Sequence, residues 1–426
     1  MLTNLRGRIA GGLLLGLTTL PARADFELRD GDTVVFLGDS ITAARGYTKI
    51  VEHYTLLRYP GRKVRFLNAG RGGDTAAGGA QRLARDVFDQ GATVVTVVFG
   101  VNDIGWGMQA DAAHKQRYLD AVRAIVTACR AHNVRPVLCS PAITNEAPDR
   151  AETGFLQKMT DEGLALAASL GARTVDLQRG MREIQRRVAA ANASEPDPQK
   201  HTHLHVADGV HLNDLGQLAM AYALLKGLGA PEEVSAAVVD AETGTVPASS
   251  GCRISDVKKR EDGVEFVRLD EGLPLNLGIL GALNFRWVPV PEGINRYRLA
   301  VKNLPPGDYE IRAEGRRLGV VDAPRLAAGL NLSSMTADGW EPGGPWDAQS
   351  DIVKELVDAR DRLWYGGFFR SHFLANHPRT AGLDQQSKEL DDRLTSLQRD
   401  TARPYPYHFE IRRAAPKADP PAESPK

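Results

Sequence analysis

Val34-Val35-Phe36-Leu37-Gly38-Asp39-Ser40-Ile41-Thr42 runs from a wholly apolar segment into a short polar turn. A continuous apolar run of this length reads as a strand buried on both faces, the pattern of a parallel sheet covered by helices. A strand that ends in Gly38-Asp39-Ser40 delivers a small hydroxyl to the carboxyl edge of such a sheet, where the chain turns into a helix. Open α/β sheets bind and react at that edge. Taken singly, a serine in this place is a helix cap and nothing more, so the reading depends on what the rest of the chain brings to the same edge.

Outward from this stretch, strand and helix patterns alternate to about Ala230. Thr33–Leu37 is the first predicted strand, followed by a helix around Tyr47–Tyr59, a strand at Lys63–Asn68 and a helix across Ala77–Gln90. Thr93–Phe99 is apolar on both faces, as a central strand requires. Tyr118, Val122, Ile125, Val126 and Cys129 then make one helical stripe ending near Asn133. Val134–Cys139 and Ala172–Leu177 are the fourth and fifth strands, separated by a helix carrying Phe155, Met159, Leu166 and Leu170. A polar helix to about Asn192 and a last helix with Leu215, Leu218, Ala219, Tyr222 and Leu225 close the unit. Strands separated by helices imply right-handed crossovers, hence a three-layer α/β/α domain on a mostly parallel five-stranded sheet over residues 25–230.

Beyond Pro231 the pattern changes to short β-prone runs (Val264–Leu269, Tyr297–Val301, Tyr309–Ala313, Leu318–Val321) punctuated by turns such as Pro305-Pro306-Gly307-Asp308. These predict a small antiparallel unit within a β-rich extension over 231–345. A helical region follows over 346–412, and a proline-rich disordered tail over 413–426. Whether the helices near Trp346–Arg370 pack back on the first domain and shape the pocket rim is not decided by the sequence. Trp287, Tyr297, Trp340, Trp346, Trp364 and Tyr365 read as core aromatics, with a sugar-stacking surface as the other use of such residues.

The first residues have a different character. Arg6 and Arg8 precede the stretch Ile9–Leu20, which is interrupted by glycines and threonines, and Pro21-Ala22-Arg23-Ala24 follows. That is the layout of a secretory signal peptide cleaved after Ala24; the stretch is too short and broken for a membrane span. The expectation is a secreted or periplasmic protein without a stable membrane anchor. Lys+Arg and Asp+Glu both number 53, and removing residues 1–24 takes three arginines and no acid. A chain so close to neutral suggests no nucleic-acid partner. Cys129, Cys139 and Cys252 are too few for a disulfide framework. Cys129 and Cys139 read as small core residues, with a bridge between them left open.

Acyl transfer by a serine needs a base, a group that orients the base, and donors for the developing oxyanion. Asn68-Ala69-Gly70-Arg71-Gly72-Gly73-Asp74-Thr75 follows the second strand, where glycines let backbone N–H groups approach a ligand closely. Its glycine spacing is neither that of a phosphate loop nor that of a dinucleotide site. Gly100-Val101-Asn102-Asp103 ends the third strand and offers a side-chain amide at the same edge. Asp208-Gly209-Val210-His211 stands just before the last helix, which Asn213 caps, and places an acid three residues before a histidine. His201, His203 and His205 alternate just upstream, but no acidic or cysteine cluster is spaced with them, so no metal site is read there.

These four segments, in this order, resemble the SGNH or GDSL-type hydrolase family over about Val34 to Leu225. The resemblance implies Ser40 as nucleophile, His211 as general base and Asp208 as its orienting acid. It also implies an oxyanion hole made by the backbone N–H of Ser40, the backbone N–H of Gly73 (Gly70 being the other choice) and the side chain of Asn102. Ile41 stands where the family's older name has leucine. No metal or organic cofactor is implied. Exported members with a β-rich extension suggest a small-molecule or polysaccharide substrate carrying short, acetyl-type esters. A lysophospholipase or thioesterase would use the same triad, and a glycan-binding protein on a hydrolase fold is the reading from another class. Oligomeric state and the role of residues 231–412 are not legible.

Overall fold

The computed structural model describes residues 26–341, 343–373 and 380–415. The predicted signal peptide and all but the first three residues of the predicted tail lie outside the described residues.

Five parallel strands form the first sheet: β1 (Thr33–Gly38), β2 (Arg65–Gly70), β3 (Val94–Val98), β4 (Arg135–Cys139) and β5 (Arg173–Val175), in the order β2-β1-β3-β4-β5. The three-layer α/β/α architecture expected from the sequence is present. The alternation that decides it is visible within single strands. Val34 and Phe36 of β1 pack into one apolar cluster, and Val35 and Leu37 into the cluster on the opposite face. The order reverses direction at β1, since β2 lies on one side of it and β3 on the other. This is the topological switch point at which open α/β sheets form their crevice.

The helices that cover this sheet are α1 (Ser40–Ala43), α2 (Gly46–Arg58), α3 (Ala76–Gln81), α4 (Ala112–Ala131), α5 (Pro148–Glu152), α6 (Phe155–Ser169), α7 (Leu177–Ala193) and α8 (Asp214–Gly227). The stripe Tyr118, Val122, Ile125, Val126 and Cys129 is buried as its spacing predicts. The single helix expected over Ala77–Gln90 is instead two pieces, α3 and a π-helical turn at Ala84–Phe88. At the break, the buried Arg82 leaves the helical pattern to bind groups at the sheet edge. The helix expected to be polar, α7, is amphipathic: Met181, Ile184 and Val188 are buried. Cys129 and Cys139 are free and sit in the clusters on opposite faces of the sheet, so the bridge left open by the sequence is not formed.

The β-rich and helical extension expected from the sequence is present, and it differs from the expectation in two pairings. One four-stranded sheet contains Glu233–Asp240 and Arg296–Lys302 paired in parallel, not antiparallel. A second, five-stranded antiparallel sheet has Tyr407–Arg413 between Asp308–Ala313 and Gly263–Asp270. The region predicted as helical to residue 412 therefore ends in a strand, and Arg413, placed in the tail by its sequence, pairs with Tyr309. The strand's alternation (Tyr407, Phe409 and Ile411 inward) is only three residues long inside a polar context, too short to outweigh the helical pattern before it.

The helix Pro345–Phe373 packs on the first domain, which the sequence left open. Arg45 and Lys49 of the α2 region pair with Asp361 and Asp358, and the buried Arg360 pairs with Glu52 at 3.0 Å. Trp346 and Tyr297 are fully buried, with Trp346 packed against Tyr297, Tyr407 and Phe409. These aromatics are core and not a stacking surface. Trp340 is exposed, and the side chains of Trp364 and Tyr365 lie outside the described residues.

Between the two sheets of the extension, Arg268 and Asp270 form a fully buried ion pair at 3.0 Å. Ser235 and Tyr297 donate to the same carboxylate at 2.6 and 2.5 Å, and the guanidinium lies 4.0 Å over the Tyr297 ring. Removing one partner strands a charge in the core. Asp270→Leu should cost about 3–5 kcal/mol of unfolding free energy, whereas the double change Arg268→Met/Asp270→Leu should recover most of it. Denaturant unfolding of the two variants checks this, and an equal loss in both would contradict it.

Candidate active site

Ser40 sits at the first turn after β1. Gly38 must be glycine here, because a Cβ would stand 2.1 Å from Thr42 Oγ1. Asp39 caps α1 by accepting from the Ile41 N–H at 3.0 Å. The strand therefore passes directly into the helix, leaving the Ser40 side chain half-buried at the edge. Gly70 is equally constrained: its Cβ would lie 2.2 Å from the Ala43 nitrogen, so β2 can approach α1 this closely only with glycine.

His211 reaches Ser40 from the other end of the domain's sequence. Its Nε2 is 2.8 Å from Ser40 Oγ, and its Nδ1 is 2.6 Å from Asp208 Oδ2. The other oxygen of Asp208 accepts from the Val210 and His211 backbone N–H groups, each at 2.9 Å. Gly209, at φ +71°, makes the turn that lets one carboxylate hold both the ring and the backbone of the same histidine. The imidazole hydrogen bond, followed by these two N–H donors, holds the Asp208 carboxyl down at about 2. It is ionised throughout the neutral range and fixes the Nδ1 proton on the side away from Ser40, leaving Nε2 able to accept the serine proton.

The loop carrying His211 is anchored at several points. Val206 N–H donates to the His211 carbonyl at 2.9 Å, and Asn145 N–H to the Gly209 carbonyl at 2.7 Å. The His205 ring, buried and pushed down in pKa by that burial, sits 2.9 Å from the Ile143 carbonyl. His201 contacts the Glu195 carbonyl in the same way. Two of the three alternating histidines thus hold backbone, and no cluster with metal-binding geometry occurs among the described residues. Asn213 caps α8 by accepting from Gly216 N–H at 3.0 Å, as read from the sequence.

Asn102 follows β3. Its Nδ2 donates to the Asp74 carbonyl at 2.9 Å, and its Oδ1 accepts from Trp106 Nε1 at 2.8 Å. Gly73 stands in the turn before α3 with φ +70°. The alternative glycine, Gly70, spends its N–H on Asn68 Oδ1 at 2.9 Å.

Two residues here were not singled out by sequence reasoning. Arg82 is buried and binds the Gly38, Ala69 and Asp74 groups at 3.0, 2.7 and 2.7 Å, tying together the ends of β1 and β2 and the glycine-rich turn. Its partner Asp86, four residues on, was the available signal. Trp106 turns back over the site because Gly105 and Trp106 both take left-handed backbone angles (φ +53° and +58°). Its ring meets the His211 ring edge-on at 5.7 Å. A tryptophan four residues after Asn102, flanked by glycines, was visible in the sequence but carries no meaning without the turn. Beside His211 opens a cleft of about 720 Å³ lined by Ile104, Trp106, Met108, Phe155, Leu156 and Val210, with Asn145, Glu146 and Arg150 among its polar groups.

Residues 36–219 match the model of the GDSL-like lipase/acylhydrolase family. A structure described as a gut microbial diltiazem-metabolizing enzyme aligns over 92% of this chain and 100% of its own, with a TM-score of 0.78 and 22% identity. That likeness shows that the fold extends through the β-rich and helical extension. Axe2, an acetylxylan esterase from Geobacillus stearothermophilus, aligns over 48% of this chain and 96% of its own at 21% identity and a TM-score of 0.40. The "Uncharacterized lipoprotein YqeF" of Bacillus subtilis (strain 168) is 31% identical over 129 residues. The match covers 28% of this chain and 53% of that protein, so the chain spans about half the length of this curated relative.

Burial lifts Asp39 from 3.8 to about 6, more than the Ile41 N–H and the nearby His211 lower it. An acid raised by folding keeps its proton in the native state after the unfolded chain has lost it. Its contribution to stability is therefore present below about pH 4 and lost as pH climbs to about 6. Asp39→Asn should then melt higher than the parent protein at pH 7, by up to about 3 kcal/mol, and the gain should vanish near pH 4. A variant less stable at both pH values would contradict this assignment.

Proposed function

We propose that the protein is an exported serine ester hydrolase in which Ser40 is the nucleophile, His211 the general base and Asp208 the residue that orients the base. The observation that carries this reading is the continuous hydrogen-bonded chain from Ser40 Oγ through His211 to Asp208, at 2.8 and 2.6 Å. Proton transfer from Oγ to Nε2 frees the serine oxygen to attack an acyl carbon. The imidazolium so formed is stabilised by the Asp208 carboxylate and returns its proton to the departing alkoxide. Water, deprotonated by the same nitrogen, then cleaves the acyl-serine.

The oxyanion formed in each step is taken to be bound by the N–H groups of Ser40 and Gly73 and by Asn102. Gly70 is disfavoured because its N–H is already donated within the turn. Asn102 has one amide hydrogen committed to Asp74 and therefore one left to give. The chemistry requires neither a metal nor an organic cofactor.

Within this class, short acyl groups on a carbohydrate are the substrate favoured here. The supporting feature is the open cleft beside His211, where the half-exposed Trp106 ring stands among Asn145, Glu146 and Arg150. A flat aromatic face with hydrogen-bonding groups around it suits a sugar alcohol. Export rests on the sequence pattern of residues 1–24.

Three measurements test this reading. Ser40→Ala should remove turnover of p-nitrophenyl acetate to background, and retention of wild-type turnover would end the proposal. Asn102→Ala should lower kcat by about 10²–10³-fold, the usual worth of one oxyanion donor. Across p-nitrophenyl esters, kcat/KM should be highest at C2–C4, and a maximum at C8 or longer would instead favour a lysophospholipase.

A further inference from the structure

We infer that Trp106 is a positioning residue that fixes which way the Asn102 amide faces. The inference rests on the reading of Asn102 as an oxyanion donor. A carboxamide has two nearly isosteric ends, and a rotation of half a turn about χ2 exchanges its oxygen for its nitrogen. At Asn102 the choice matters more than usual, since the wrong end would present a carbonyl oxygen to a negatively charged intermediate.

The two contacts made by this amide remove the ambiguity. An indole N–H can only donate, so the atom 2.8 Å from Trp106 Nε1 must be the Asn102 oxygen. A backbone carbonyl can only accept, so the atom 2.9 Å from the Asp74 carbonyl must be the Asn102 nitrogen. The flipped amide would set nitrogen against N–H and oxygen against carbonyl, losing both hydrogen bonds and replacing them with two repulsions. Oxyanion stabilisation depends on donors already aimed before charge develops, and the indole contributes to that aim without touching the substrate carbonyl.

The backbone at Trp106 fits the assignment. Left-handed angles at a non-glycine residue are uncommon and sterically unfavourable for a bulky side chain. Here they occur at Trp106, immediately after the left-handed Gly105. The turn folds the chain back after one short helical segment, with Trp106 N–H bonded to the Val101 carbonyl at 3.0 Å. The ring is thereby carried over Asn102 and remains nearly half exposed (48%), where packing alone gives a large apolar side chain little reason to be.

The test is a double-mutant cycle with Trp106→Phe, which keeps an aromatic ring beside His211 and deletes the N–H along with part of the ring. With p-nitrophenyl acetate, Trp106→Phe should lower kcat about 3- to 10-fold, the range expected for one hydrogen bond, with KM nearly unchanged. The pH at which kcat/KM falls to half should also be unchanged, because the base is untouched. In the Asn102→Ala background the same change should have no further effect on kcat. Wild-type kcat in Trp106→Phe, or an equal loss with and without Asn102, would overturn the inference while leaving the oxyanion reading in place. Wild-type kcat in Asn102→Ala would overturn that reading and the inference with it. Trp106→His, which offers a ring N–H again, should recover part of the lost kcat; melting temperatures within about 1 °C across the set exclude a general loss of structure.

Discussion

The hydrogen bond between His211 and Ser40 joins residues 171 apart in sequence, and the arrangement of the first domain serves to close it. One end is cheap to place, because Ser40 directly follows a strand buried on both faces, and any tilt of β1 would disturb two apolar clusters at once. The other end is costly. His211 lies on a loop with little regular structure, and loops of this kind keep a geometry only where specific bonds hold them. The bonds from Asn145 to Gly209 and between Val206 and His211, together with the Asp208 carboxylate gripping ring and backbone alike, supply that hold.

The opposite wall of the site is held by charge. Asp39 and Asp103 are buried near the sheet edge and both are pushed up to about 6, chiefly by burial. Arg82 compensates on one side by pairing with Asp74 and by donating to the carbonyls that end β1 and β2. A buried guanidinium satisfied by carboxylates and carbonyls is directional, and breaking one partner leaves the rest unpaired. The glycine-rich turn between β2 and α3 is thus clamped, although glycine by itself gives the backbone freedom.

Much of this was legible in the sequence for physical reasons. Two-sided burial writes a continuous apolar run, so β1 and β3 were plain, as were the four motif segments at the ends of successive elements. Cap chemistry is local, so Asn213 was plain as well. What could not be read depended on contacts between distant residues. The strand Tyr407–Arg413 is set by its neighbours Asp308–Ala313 and Gly263–Asp270, not by its own short pattern. Arg82 looks like an ordinary helix residue until the sheet edge is beside it. Trp106 acquires a partner only because the chain reverses at Gly105, and the left-handed angles responsible leave no periodic trace.

The extension is continuous with the first domain in its packing. Val234, Tyr297, Trp346 and Phe409 belong to the same apolar cluster as Phe36, Leu218 and Leu224, and Leu273 N–H bonds to the Leu57 carbonyl at the end of α2 at 2.8 Å. Helices α2 and α8 and the extension therefore share one support. The claim at the centre of this account is that Ser40 is made nucleophilic by His211. Reaction with a fluorophosphonate, followed by peptide mass spectrometry, measures it most directly. The account expects a single adduct on Ser40 that forms at least about 10²-fold more slowly when His211 is alanine, the scale of general-base assistance; an adduct elsewhere, or an unchanged rate without His211, would contradict it.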